Sequence, residues 1–167
     1  MLGMKGLEYI KKTREYLDYL EVHLKNIEKA FKEFTEKCSE LDVIYDDFKF
    51  TSLRDAVINH DLSKFSTAEF VQYRQRFYQV KGEDVNEKVL ELAWASHYLD
   101  NSHHPEYWKF VEPLNIDLAH FVIDLMSMSY VFGGKPYEYY KRNLPRWKID
   151  SDSREYLETI FRCLGKG

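Results

Sequence analysis

The chain has 167 residues, 44% hydrophobic and 31% charged, with a formal net charge of −4. Those figures fit one globular domain rather than a disordered chain, and the acidic balance speaks against stable nucleic-acid binding. No apolar run approaches the ~20 residues that span a bilayer, and MLGMKGLEYIKK at the N-terminus has no signal-peptide apolar segment. The expected location is the cytoplasm, with no membrane partner.

The first 40 residues read as one long helix. Ile10, Leu17, Leu20, Leu24, Ile27, Phe31, Phe34, Cys38 and Leu41 follow three- and four-residue steps, the spacing of an apolar stripe. A short helix through SLRDAVINHD, residues 52–61, carries Leu53, Val57 and Asp61 at four-residue spacing. Ser66 and Glu69 stand as a capping box, so a third helix is expected from about Thr67 to Val80. A fourth helix fits 85–101 and is broken by Pro105, which disfavours helical backbone at His104. A fifth fits 116–131 and stops at Gly133 and Gly134. Pro136 can open a short helical piece, and Asp152 with Glu155 caps a last helix through Leu164. No alternating strand and no internal repeat is visible. The expected fold is all-α, a single-domain bundle of about six helices. Cys38 and Cys163 are read as reduced, buried thiols, with one disulfide left open.

Several ionisable residues fall on positions that face inward. His23 lies next to the seam of the first helix, between Leu20 and Ile27. His60 follows Leu53 by seven residues, and His97 follows Leu90 by seven. His103 and His104 sit in the loop after the fourth helix. Asp124, within FVIDLMSM, is the sharpest case. A buried carboxylate needs a cation, hydrogen-bond donors or a proton, and a metal ion, His120 or Ser127 would each meet that need. Imidazole nitrogens and carboxylate oxygens without sulfur suit a divalent transition ion, one of Mn, Fe, Co, Ni or Zn. Each position also has an ordinary structural reading as a hydrogen-bonded core histidine or an ion-paired acid.

The order His23, His60-Asp61, His97, His103-His104, Asp124 resembles the HD-domain superfamily of metal-dependent phosphohydrolases. HDLSK resembles that family's His-Asp-x-x-Lys form, and HYLDNSHHPEYW resembles a segment of HD-like proteins from bacterial and phage genomes. The resemblance covers roughly residues 20–130. It implies an HD-like helical domain in which His23, His60, Asp61 and Asp124 hold a first ion. Asp61 would then bridge to a second ion held by His97 and by His103 or His104. It also implies that Lys64 reaches the substrate phosphate, and that whichever of His103 and His104 is not a ligand serves substrate or leaving group, His104 being the catalytic candidate. The Gly-Tyr-Pro segment of the cyclic-dinucleotide branch is missing, so that substrate is not implied.

The activity expected from these residues is hydrolysis of a small phosphate ester, nucleotides included, through metal-activated water. Lys64 and Arg76 are the phosphate-binding candidates among the cations Lys64, Arg74, Arg76, Lys135 and Arg146. Tyr73, Tyr98 and Trp108 could stack on a base, at least two of them being expected in the core. Two alternatives stand beside this reading: an HD-type diiron oxygenase on the same ligands, and a non-catalytic helical interaction protein. Oligomeric state is open.

Overall fold

In a computed structural model, the described residues are 5–41 and 47–165. Among them are seven α-helices and no strand, an all-α architecture. The helices are α1 (Lys5–Lys37), α2 (Asp47–Ile58), α3 (Phe70–Phe77), α4 (Glu87–Asp100), α5 (Asn115–Phe132), α6 (Pro136–Asn143) and α7 (Ser151–Cys163), with 3-10 turns at Leu62–Phe65 and Tyr107–Lys109. The first four residues of the expected long helix lie outside the described residues. No single helix among those described is long and apolar enough to cross a membrane.

The chain divides into two compact units, each assembled from separate segments. One contains the residues up to Val22 together with Asp61–Asp100; the other contains His23–His60 and the residues from Asn101 onward.

The smaller unit packs Tyr16 and Leu20 of α1 against Tyr73 of α3 and Leu90 of α4. Arg74 and Glu83 form a nearly dry ion pair there, with two nitrogen–oxygen contacts of 2.5 Å and side chains 7% and 5% exposed. Gln75 and the Val80 N–H also donate to the Glu83 carboxylate, and the Arg74 guanidinium lies over the Tyr9 ring. These bonds hold the Glu83 carboxyl down at about 2, the Arg74 hydrogen bond being the largest cause.

The larger unit has the principal core. Ile27, Ala30 and Phe34 of α1, Leu53 and Val57 of α2, the inward face of α5 and Leu157, Ile160 and Phe161 of α7 are all buried in one cluster. Helix α5 is apolar on most of its surface, as a central helix must be. Its first turn is tied by Asp117, which accepts the Leu114 N–H at 2.8 Å and the Ser102 hydroxyl at 2.5 Å. Pro136 opens α6 from its first turn, where a missing N–H costs nothing.

Several boundaries differ from the expected ones. On α1 the buried positions are Tyr16, Leu20, His23, Ile27, Ala30 and Phe34, with Cys38 buried just past its end, whereas Ile10 and Leu17 are exposed. Helix α2 ends at Ile58 rather than carrying on through Asp61. Helix α3 starts at Phe70 rather than Thr67, and Glu69 makes no side-chain cap. The cap of α7 is Asp150, whose side chain accepts the Ser153 N–H at 2.9 Å; Asp152 lies inside the helix. Cys38 is buried as expected, Cys163 is exposed, and both are free thiols.

Candidate metal centre

In the larger unit, four histidines and one aspartate from separate helices and a loop come together. His23 arrives from the middle of α1 because it occupies a buried step of the helix, one turn from Leu20 and one from Ile27. His60 lies just past α2, its N–H closing onto Val57 O at 3.1 Å in a tight final turn. His120 and Asp124 stand four residues apart on α5 and so share one face. His103 is in the loop before α5, where Trp108 donates to Ser102 O at 2.7 Å and packs edge-on against Phe121. His23, His60, His103 and His120 are all buried.

The distances set out a coordination geometry. His23 Nε2 and His60 Nε2 are 2.9 Å apart, and each lies 3.8 Å from Asp124 Oδ1. A triangle with sides of 2.9, 3.8 and 3.8 Å has a circumradius of about 2.1 Å, so one point in its plane lies at a transition-metal bonding distance from all three atoms. The other ring nitrogen of His60, Nδ1, is 2.9 Å from His120 Nε2. His60, His103 and His120 each offer a nitrogen within 4.8 Å of the others, a further grouping that can hold a metal ion. His103 lies against His60, His120 and His104, with ring centroids 4.7, 4.3 and 4.3 Å away. His104 is only half-buried.

In the smaller unit, Asp61 has φ 55° and ψ 24°, the only left-handed non-glycine residue among those described. That turn starts the 3-10 segment and carries the side chain of Lys64 back to Asp61, with Nζ 2.5 Å from Oδ2. The second carboxylate oxygen, Oδ1, is 3.5 Å from His97 Nε2. His97 Nδ1 faces Glu69 Oε2 at 3.0 Å and Ser63 Oγ at 3.2 Å. Asp61, Glu69 and His97 are all buried. Burial pushes the phenols of Tyr16 and Tyr73 far above their ordinary range, and the acids at Asp61 and Glu69 add to the rise in both.

Residues expected from the sequence therefore fall into two groups. His23, His60, His103 and Asp124 meet in the larger unit, with His104 beside them; Asp61, Lys64 and His97 meet in the smaller one. Arg76 is exposed and pairs with Glu87 at 3.2 Å. Arg74 is committed to Glu83. Tyr73 is in the core and donates to Ala93 O at 3.4 Å; Trp108 packs against the core of the larger unit.

Two residues at these groups were not expected there. Glu69 reads from sequence as half of a capping box, yet its carboxylate is spent on His97. His120 reads as a hydrogen-bond partner for Asp124, yet its Nε2 faces His60. The four-residue step from His120 to Asp124 was the available signal for the latter.

A family model described as a family of unknown function, DUF5662, matches residues 12–163. The chain belongs to that family. No curated protein and no solved structure matches it.

Proposed function

We propose that this member of a family without an assigned function is an HD-type, metal-dependent phosphohydrolase acting on a small phosphate ester in the cytoplasm. The observation that carries the reading is the equidistant point between His23 Nε2, His60 Nε2 and Asp124 Oδ1. Two buried imidazoles and a carboxylate, from α1, the turn after α2 and α5, meet around it, a donor set without sulfur that suits Mn, Fe, Co, Ni or Zn. Asp61 and His97 offer one oxygen and one nitrogen to a second ion, 3.5 Å apart. A divalent ion held by such a donor set would supply activated water.

The chain's own groups have separate tasks in this reading. Asp61 Oδ2 anchors the Lys64 ammonium, the cation for a phosphate oxygen in this reading. His104, half-buried and stacked on His103, is the proton donor for the leaving oxygen.

Elemental analysis of purified protein, paired with assays of phosphate monoesters and diesters with Mn or Co added, tests the proposal. Expected are bound transition metal and hydrolysis that runs equally with and without oxygen, both lost in His23→Ala and Asp124→Ala. A wild type with no more metal than those variants would sink it. So would a coupled diiron spectrum with turnover only in oxygen.

A further inference from the structure

Glu69 is fully buried at the start of α3, and one of its oxygens, Oε1, has no hydrogen-bond partner among the described residues. Burying a carboxylate with one oxygen unsatisfied is costly, so its retention needs a reason. The other oxygen lies 3.0 Å from His97 Nδ1. A carboxylate that accepts from this ring takes the proton on Nδ1. A neutral ring protonated at Nδ1 has its lone pair on Nε2. That lone pair faces Asp61 Oδ1, another acceptor, at 3.5 Å. A divalent cation between the two would take both as ligands.

We propose that Glu69 is a positioning residue: it fixes His97 in the Nδ1–H tautomer and turns Nε2 toward Asp61 as a ligand for a divalent ion. This rests on the metal-dependent reading above and extends it to a residue outside the ligand set. A cation on Nε2 strengthens the Nδ1–H donor, so the buried carboxylate and the ion support each other, the pattern of a carboxylate behind a ligating histidine. Ser63 Oγ, 3.2 Å from the same nitrogen, is the competing acceptor. As a hydroxyl it can accept or donate and does not by itself fix the tautomer.

The test uses the full chain, labelled with ¹⁵N-histidine, in wild-type, Glu69→Gln, Glu69→Leu and Ser63→Ala forms. Two-bond ¹H–¹⁵N spectra report which nitrogen of His97 is protonated, and cobalt(II) titration followed by visible absorption reports affinity. Wild type and Glu69→Gln are expected to hold the Nδ1–H form, because an amide oxygen still accepts. Glu69→Leu is expected to move His97 to the Nε2–H form common in free histidine and to weaken one cobalt equivalent about 10–100-fold. Glu69→Gln should fall between, which separates lost positioning from lost folding. Unchanged tautomer and affinity in Glu69→Leu overturn the inference while leaving the hydrolase reading in place. A switch caused by Ser63→Ala instead assigns the role to Ser63 and also overturns it. A wild type that takes up no cobalt removes both readings together.

Discussion

His60 Nδ1 and His120 Nε2 stand 2.9 Å apart, sixty residues separated in the chain and both buried. The contact occupies the side of the His60 ring opposite His23 and Asp124. A proton on Nδ1 shared with His120 leaves Nε2 as the ligating nitrogen and fixes the ring's rotation. His120→Ala is therefore expected to reduce metal affinity about 10–100-fold while leaving His23, His60 and Asp124 in place. Competition against a chromophoric chelator measures this. Affinity equal to wild type would remove His120 from the centre's support.

Asp61 adopts a backbone conformation that costs a residue with a Cβ about 1–2 kcal/mol and that Asn, Asp and Gly visit most readily. Asp61→Asn keeps a residue suited to the turn but removes the charge that pairs with Lys64, so it should lose stability as well as metal-dependent activity, the amide being a poorer ligand. Asp61→Gly should be more stable than Asp61→Ala by about 1 kcal/mol. Urea unfolding curves of the three variants decide it; an alanine variant as stable as the glycine one contradicts the strain argument.

The Arg74–Glu83 pair sets an acid limit. The Glu83 carboxyl is held at about 2, below its ordinary 4.5, so its stabilisation is complete above pH 4.5 and disappears as pH falls toward 2. The amount at stake is of order 2–3 kcal/mol, on a side chain 5% exposed. Glu83→Gln should cost about 3–5 kcal/mol at pH 7, where it leaves a buried guanidinium unpaired, and much less near pH 2.5. Chemical denaturation at the two pH values compares them. A gap that does not shrink on acidification would show that the pair contributes little through its charge.

Burial and the neighbouring Cys163 thiol push the Cys38 thiol up to about 12, whereas Cys163 is exposed. At pH 8 the native protein is expected to take one equivalent of iodoacetamide, at Cys163, and a second only after denaturation. Peptide mapping of the labelled protein identifies the site. Rapid labelling of Cys38 in the native state would contradict its burial.

The helices were legible wherever an apolar period ran on undisturbed. Phe34 on α1 and Cys38 just past its end lie where the spacing puts them, and Gly133 ends α5 with a positive φ that glycine adopts readily. Periodicity failed where a side chain was claimed by something distant. Asp61 continues the Leu53–Val57 step in sequence, but the helix stops three residues earlier and the aspartate turns left-handed. Ser66 and Glu69 have the spacing of a cap, yet the glutamate goes to His97, a residue 28 positions away. Local rules could not anticipate this, because the competing partner arrives only with the tertiary fold. The same holds for the histidines. His23 and His60 were each visible as inward-facing residues, but their convergence on Asp124 depends on how α1, α2 and α5 pack.

The boundaries between the two compact units fall after Val22, His60 and Asp100. The chain passes from one unit to the other three times, and the first passage occurs within the unbroken helix α1. Neither unit can be cut out as a single stretch of polypeptide. Recombination that moves one contiguous piece of a gene would therefore divide both units rather than transfer either.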